Sequence, residues 1–226
     1  MEKNKRYIWP IFLITEFILY IFILFSSGTL LAVTSFSAIV LCFLYSLLNF
    51  NKENSFINIA LFNTVLADFL LVVMNEPIRT LGMIFFIIVQ TLYSIKLLNK
   101  SKSLLFLGLR IGLILAIECV TIIILKGKID LLAIISVMYY ALLIINIVES
   151  FMNFKEDKLF SIGLVLFIMC DTIIGLQTLD SMYIRLGDDN IIYKILYCGF
   201  NLSWLFYLPS QVLISLSTYR RIENEI

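Results

Sequence analysis

Long apolar runs separated by short polar joints make up nearly all of this chain. Eight of the runs approach the roughly 20 mostly apolar residues that a transmembrane helix needs, at about 8–25, 29–48, 56–74, 78–98, 104–125, 129–149, 159–177 and 195–219. Runs of this length favour helices, because membrane-spanning strands alternate apolar and polar residues over about ten positions. The pattern predicts an all-α fold in which residues 1–226 form a single polytopic membrane bundle of eight transmembrane helices.

The composition supports a membrane protein and excludes several kinds of active site. Of the 226 residues, 61% are hydrophobic and 15% are charged, whereas soluble domains carry about 45–50% apolar and about 25% charged residues. The net charge of +1 gives no basic field, so we expect no nucleic-acid partner. Histidine is absent from the sequence, which excludes a Ser-His-Asp triad, a Cys-His pair and a His-based zinc site. The four cysteines lie inside apolar runs without CxxC spacing, so we expect buried thiols, no metal and no cofactor.

The distribution of Lys and Arg predicts the orientation in the membrane. The side that holds both termini carries Lys3, Lys5, Arg6, Lys52, Lys96, Lys100, Lys102, Lys155, Lys158, Arg220 and Arg221, and the other side carries Arg79, Lys126, Lys128, Arg185 and Lys194. Since basic loops are enriched in the cytoplasm, we expect both termini there. No small-residue cleavage site follows the basic start, so we interpret the first run as an uncleaved helix. The abundance of Ile, Leu, Phe, Asn and Lys is typical of AT-rich bacteria, and we expect an integral protein of a bacterial cytoplasmic membrane.

Two aspartates stand in the middle of apolar runs. Asp68 and Asp171 each lie twelve residues after the start of their predicted helix, so a rise of about 1.5 Å per residue places both at the same depth, on helices that point the same way. A charge at the bilayer centre costs about 2.5–3.5 kcal/mol on insertion scales, so such acids usually face the bundle interior and serve a function. The alternative is a neutral acid hydrogen-bonded between helices. We favour function for this pair and the structural alternative for Glu16 and Glu118.

A short internal match suggests that the bundle consists of two related halves. The fourth run contains QTLYS at 90–94, the eighth contains QVLIS at 211–215, and each follows a run that carries an aspartate. Runs one to four and five to eight are therefore expected to form two related four-helix halves, an arrangement known in membrane proteins.

Polar side chains in several runs are expected to line a cavity together with the aspartates. In the eighth run, one helical face carries Tyr197, Asn201, Trp204, Gln211 and Ser215, and the adjacent face carries Ser203, Tyr207 and Ser210. The fourth run adds Gln90, Tyr93 and Ser94, and the sixth adds Tyr139, Tyr140 and Asn146. Interhelical hydrogen bonding with an interfacial aromatic belt is the alternative, although it explains Gln211 poorly.

Pro209 is expected to free a backbone carbonyl nearby. Arg110 of the fifth run is expected either to extend toward one membrane surface or to pair with an acid on another helix.

Two carboxylates in one low-dielectric pocket favour acid–base chemistry. One is held protonated and can act as a general acid, while the other stays ionised and can activate water. Acetals, glycosides and vinyl ethers break in this way through an oxocarbenium-like state. This chemistry needs no histidine, serine or metal, and it therefore fits the side chains that the sequence offers.

Three segments together resemble the YhhN family of lysoplasmalogenases, which are eight-helix membrane hydrolases. The third run reads LFNTVLADFLLVV, similar to the family's Gly-Asp-x-x-Leu segment. The seventh reads IGLVLFIMCDTIIGL, similar to Phe-x-x-Ser-Asp-x-x-Leu, and the eighth reads FYLPSQVLISLS, similar to Tyr-x-x-Ala-Gln-x-Leu-Ile. The chain keeps both acids and departs from these patterns at Ala67, Cys170, Pro209 and Ser210, and Gln90 stands where relatives often have histidine.

The resemblance implies an enzyme that cleaves the vinyl-ether bond of a membrane lipid substrate, a lysoplasmalogen-like lysophospholipid, and releases a fatty aldehyde and a glycerophospho-alcohol. On this resemblance Asp68 and Asp171 are the catalytic aspartates, and Tyr207 and Gln211 are the polar pair of the eighth helix. Five further residues are our candidates for substrate binding: Asn201, Gln90, Tyr93, Trp204 and Arg110.

Three other classes of protein could also use two intramembrane acids. A small-molecule or proton-coupled transporter would place them between related halves, although glycine-interrupted half-helices are missing from the sequence. An intramembrane aspartyl protease would carry Gly-x-Gly-Asp, whereas Ala67 and Cys170 precede the two acids here. A structural membrane protein would not need the polar face of the eighth run.

Overall fold

The chain folds into a bundle of helices, as the apolar runs predict. A computed structural model describes residues 2–74, 79–101, 104–125, 130–182, 185, 187 and 189–219. Its helices are α1 (Glu2–Phe25), α2 (Gly28–Leu48), α3 (Ser55–Asp68), α4 (Arg79–Ser101), α5 (Leu104–Leu125), α6 (Leu131–Met152), α7 (Lys158–Met182), α8 (Ile191–Leu196) and α9 (Leu202–Leu216). No strand occurs in the described ranges, and the all-α prediction is confirmed.

Most of these helices are long enough to cross a membrane. Within the described residues, the six helices that meet this requirement by length and composition are α1 to α4, α6 and α7, where α3 is counted together with the short helical turns at its two ends. The prediction of a polytopic membrane bundle is confirmed, whereas the count of eight spans is not. Residues 78 and 129, the predicted starts of the fourth and sixth helices, lie outside the described residues, as do Lys102, Lys126, Lys128, Arg220 and Arg221 of the charge comparison.

The prediction of one continuous eighth helix over 195–219 is wrong. The chain forms α8, leaves the helical conformation from Tyr197 to Asn201, and then begins α9. With 15 residues α9 is about 22 Å long, which is shorter than a hydrocarbon core of about 30 Å, so α9 cannot span such a core alone.

The physical reason for this break lies in the end of α1. The last carbonyls of a helix have no N–H donor from their own helix and need other partners. Asn201 supplies these partners: its backbone N–H donates to the Leu24 carbonyl at 3.1 Å, and its side-chain amide donates to Ile23 at 2.6 Å and to Ser26 at 2.9 Å. Because the Asn201 N–H bonds to α1, it does not continue the helix begun by α8.

A wide helical turn follows Asp68 directly. Residues Phe69–Val73 form a π-helical turn, and the Met74 N–H donates to the Phe69 carbonyl at 3.1 Å. Turns of this kind are rare in proteins, and those that occur are often found at functional sites. The extra residue in the turn changes which side chains face the bundle. Asp68 is therefore held at the junction of two helical geometries.

Helix packing in one half of the bundle repeats in the other half. The most extensive helix pair is α7 with α9, and the next is α3 with α4, which occupy equivalent places in the two predicted halves. The pairs α1–α2 and α2–α3 likewise correspond to α5–α6 and α6–α7, and the cross-pair α2–α9 corresponds to α6–α4. This correspondence supports the predicted relation between the halves.

A glycine allows the close approach of α7 and α9. A Cβ atom placed on Gly163 would lie 2.7 Å from the Ile214 Cγ1 atom and 3.1 Å from the Ser210 carbonyl oxygen. No side chain larger than hydrogen fits there without movement of α9. Gly163 thus fixes the position of the helix that carries Tyr207 and Gln211.

Candidate functional site

Asp68 accepts a hydrogen bond from a tyrosine in a buried environment. The Asp68 side chain is 3% exposed at the end of α3, and the Tyr207 hydroxyl of α9 donates to its Oδ2 atom at 2.7 Å. The tyrosine itself is 6% exposed. Because water has little access to this carboxyl group, the hydroxyl is a donor that solvent does not readily replace.

Asp171 makes the equivalent contact with another tyrosine. It lies on α7 and is partly buried, and the Tyr139 hydroxyl of α6 donates to its Oδ2 atom in a short hydrogen bond. The neighbouring pair, Tyr140 and Thr172, forms a separate hydrogen bond of 2.8 Å on a more exposed face. Each aspartate is thus held by a tyrosine from a different helix.

The two aspartates belong to one cluster. They are close enough for a direct electrostatic interaction, and Cys170 interacts with both of them. The Phe167 ring lies between their tyrosines, with its centroid 5.5 Å from that of Tyr207 and 6.5 Å from that of Tyr139. The structure therefore brings the acids together as the sequence analysis expects, while their catalytic role stays a prediction.

Gln211 is fully buried beside this cluster with no hydrogen-bond partner. Neither its amide nitrogen nor its amide oxygen bonds to any residue that the structure describes, although the side chain is 0% exposed. It stands one helical turn from Tyr207, which bonds to Asp68, and one turn from Ser215, which lies near Cys42 of α2. A buried amide without partners is costly unless a ligand or water binds it.

The equivalent glutamine of the other half, Gln90 of α4, bonds to an asparagine of α6. There the Asn146 amide of α6 donates to the Gln90 carbonyl at 2.8 Å and to the Gln90 Oε1 atom at 2.9 Å. The Asn146 Oδ1 atom accepts from the Ser94 hydroxyl at 2.7 Å. The side-chain oxygen of Gln90, a predicted substrate-binding residue, is therefore bonded to Asn146, while its Nε2 atom has no partner among the described residues.

Trp204 and Tyr93, two further predicted binding residues, lie in aromatic contacts. The Trp204 ring packs edge-on against Tyr207 with centroids 5.1 Å apart, and so it contacts a partner of Asp68. Tyr93 is fully buried and packs against Phe160 at 5.2 Å, and its hydroxyl has no partner among the described residues. Neither contact tests the predicted role of these two residues in substrate binding, which stays a prediction.

Asn201 and Arg110, the remaining predicted binding residues, have protein partners. Asn201 joins α9 to the end of α1 through the hydrogen bonds described above. Arg110 of α5 forms a buried ion pair with Glu149 of α6, in which Nε donates to Oε1 at 2.6 Å and a second nitrogen donates to Oε2. Of the two expectations for Arg110, pairing with an acid on another helix is the one that the structure contains.

The proline of α9 frees a carbonyl, as predicted. Pro209 has no N–H to donate to the Leu205 carbonyl four residues earlier, and the Tyr20 hydroxyl of α1 donates to that carbonyl instead, at 3.1 Å. This bond and the contacts of Asn201 attach α9 to α1 at two points.

Three residues that lie against predicted site residues were missed or given little weight in the sequence analysis. Tyr139 was named only with two neighbours of the sixth run, and nothing in the sequence distinguishes it from Tyr140. Glu149 was missed because it stands at the end of its run, where an acid normally meets the membrane surface. Cys42 has no sequence signal at all, because a cysteine in an apolar run usually packs as a small hydrophobic side chain.

Taken together, the bundle and its two aspartates define a polytopic membrane protein with a polar cluster in its interior. The sequence profile of the YhhN family matches residues 29–218, so the chain belongs to the YhhN family. No curated protein and no solved structure gives a significant match. The matched residues include both aspartates, both tyrosines and Gln211.

Proposed function

We propose that the protein is an intramembrane lipid hydrolase that cleaves the vinyl-ether bond of lysoplasmalogen-like lysophospholipids. The observation that carries this proposal is the pair of neighbouring aspartates, Asp68 and Asp171, each bonded to a tyrosine from another helix. Membership of the YhhN family supports a membrane protein of this class. The lipid substrate, the bacterial cytoplasmic membrane and the cytoplasmic termini stay predictions.

The environment of the pair suits two different roles for chemically equal groups. Two carboxyl groups in a shared low-dielectric site resist being ionised together, so we expect one of the two to carry a proton. The protonated member is a general acid and the ionised member is a general base, as in other enzymes that use paired carboxyl groups. The tyrosine hydroxyls hold both groups in place so that little reorganisation is needed during the reaction.

The proposed reaction consumes one water and returns both aspartates to their starting state. The protonated aspartate delivers its proton to the vinyl carbon remote from oxygen, which leaves an oxocarbenium ion at the adjacent carbon. Water bonds to that carbon as the ionised aspartate takes a proton from it. The resulting hemiacetal then breaks its bond to the glycerol oxygen. That oxygen takes a proton from the second aspartate, the hemiacetal hydroxyl returns a proton to the first, and fatty aldehyde and glycerophospho-alcohol leave.

The test is the release of aldehyde from a defined substrate. Purified protein in detergent is mixed with lysoplasmalogen, and long-chain aldehyde is quantified by mass spectrometry. We expect Asp68→Asn and Asp171→Asn each to lower turnover by at least about 100-fold, because each removes a proton donor or acceptor. Glu118→Gln is the matched control, since Glu118 is an intramembrane acid of α5 outside the acid cluster, and it is expected to keep wild-type turnover.

Two results would contradict the proposal. Wild-type turnover in both aspartate variants would show that the acids are not catalytic. A wild-type protein that releases no aldehyde but carries protons or a solute across vesicle membranes would support the transporter alternative instead.

A further inference from the structure

A group of buried polar side chains extends from the acid pair toward α1. We call Glu16, Cys42, Asp68, Gln211 and Ser215 the α2–α9 polar cluster. The Cys42 thiol donates to the Glu16 Oε1 atom at 3.5 Å and lies near Ser215 and Asp68. The cluster therefore joins Glu16 to the proposed catalytic centre through a single side chain.

Several atoms of the cluster have no hydrogen-bond partner among the described residues. These atoms are the Glu16 Oε2 atom and both amide atoms of Gln211, in side chains that are 2% and 0% exposed. Because a buried polar group without a partner is destabilising, a native protein keeps such groups mainly where something else binds them.

Comparison of Gln211 with the equivalent glutamine of the other half shows how their surroundings differ. The match between QTLYS and QVLIS makes Gln211 and Ser215 equivalent to Gln90 and Ser94. Asn146 of α6 bonds to Ser94 and to the Gln90 Oε1 atom, whereas on α2 Cys42 lies near Ser215. A thiol offers only one weak donor, which the Cys42 thiol gives to Glu16, so Cys42 does not bond to the Gln211 oxygen as the Asn146 amide bonds to the Gln90 oxygen.

An apolar cleft leads from the outer surface of the bundle to Glu16. It has a volume of about 460 Å³ and lies between α1 and α9, where Leu13, Ile14 and Phe17 face Leu208, Pro209 and Val212. Glu16 is the acid in its lining. Ile14 and Phe17 are 62% and 63% exposed, so the entrance faces the apolar surroundings of the bundle.

We propose that the α2–α9 polar cluster is the subsite for the hydroxyl-bearing glycerol segment of a single-chain lipid, and that the α1–α9 cleft holds its hydrocarbon chain. This inference rests on the proposed function and extends its site to Glu16 and Cys42. The cluster offers an amide and carboxylates but no cation, which suits hydroxyl groups and not a phosphate. The cleft walls are apolar, which suits an alkyl chain. Cys42 acts as a positioning residue that leaves Gln211 available to the ligand.

The matched variants Cys42→Asn and Cys42→Ala test this role. Asparagine supplies the amide that closes the equivalent site around Asn146, whereas alanine removes the thiol and leaves the site open. Binding is measured with a saturated 1-O-alkyl lysophospholipid, which has no vinyl ether to cleave. The readout is the fluorescence of Trp204, which packs against Tyr207, in a Trp9→Phe background that leaves it the single tryptophan.

We expect Cys42→Asn to weaken binding by about tenfold or more, because the ligand loses its hydrogen bonds to Gln211, and to melt at or above the temperature of Cys42→Ala. Cys42→Ala should weaken binding less than Cys42→Asn does, because it leaves the amide of Gln211 free for the ligand. Gln211→Met, which keeps the shape of the side chain without its amide, should weaken binding to a similar extent and decides the matter if Cys42→Asn does not fold. Wild-type binding in Gln211→Met, or an equal loss in both Cys42 variants, would overturn the inference.

The outcome is separable from that of the proposed function. If the alkyl lipid binds with this pattern but lysoplasmalogen releases no aldehyde, the hydrolase proposal fails and the subsite stands. If aldehyde is released while Cys42→Asn changes neither alkyl-lipid binding nor KM, the subsite fails and the hydrolase stands.

Discussion

The hydroxyl of Tyr207 gives the sharpest test of how the acid pair is held. Tyr207→Phe removes one oxygen atom, which donates to Asp68 at 2.7 Å. It leaves the ring in its contacts with Phe167 at 5.5 Å and Trp204 at 5.1 Å. The variant therefore tests the hydrogen bond with little change in packing.

Two general magnitudes bound the expected effect. Interhelical hydrogen bonds in membrane proteins average about 0.6 kcal/mol and reach about 1.7 kcal/mol, whereas hydrogen bonds to charged groups contribute about 1.5–3 kcal/mol. The upper part of the first range applies here, because Asp68 is 3% exposed and water has little access to replace the hydroxyl. A loss of about 1.5 kcal/mol corresponds to about a tenfold fall in turnover.

The assay is the kcat for aldehyde release at saturating lysoplasmalogen, with Tyr140→Phe as the control. Tyr140 is the neighbour of Tyr139 on α6, and its hydroxyl bonds to Thr172 at 2.8 Å and not to an aspartate. We expect Tyr207→Phe to lose about tenfold and Tyr140→Phe to keep wild-type kcat. Equal kcat values for the two variants would refute the positioning of Asp68 by Tyr207.

Two further predictions concern the bundle that carries the site. Arg110→Met should lower the free energy of unfolding by about 3–5 kcal/mol, because it leaves Glu149 buried without its cation. Arg110→Met combined with Glu149→Leu should recover most of this loss. Detergent melting curves that show the double variant to be less stable than Arg110→Met alone would contradict the prediction. Gly163→Ala should lower the free energy of unfolding by about 1–3 kcal/mol, since its Cβ would lie 2.7 Å from the Ile214 side chain. Gly175→Ala on the same helix meets no atom within 4 Å and should be neutral or stabilising. Equal melting temperatures for the two alanine variants would contradict the prediction.

The apolar pattern was sufficient to predict most of the helices. The runs at 29–48 and 104–125 agree closely with α2 and α5, because a long apolar run between polar joints has few structural alternatives in a membrane. The equal depth of Asp68 and Asp171 also followed from helix geometry alone. Their convergence on one cluster is the tertiary result of that local regularity.

The parts that the sequence did not predict depend on contacts between distant segments. The break before α9 arises because Asn201 bonds to the end of α1, about 175 residues earlier. The choice of Glu149 as the partner of Arg110 depends on how α5 packs on α6. The free amide of Gln211 depends on which side chains the other helices bring near it. None of these contacts leaves a periodic signal, so reading one run at a time could not reveal them.

The central claim is that Asp68 and Asp171 act as one catalytic unit. The most direct test compares the turnover of lysoplasmalogen by Asp68→Asn, Asp171→Asn and the double variant. Residues that act together in one step show strongly non-additive losses. We expect the double variant to release aldehyde at about the rate of the slower single variant. A double variant whose loss equals the product of the two single losses would contradict a shared catalytic role.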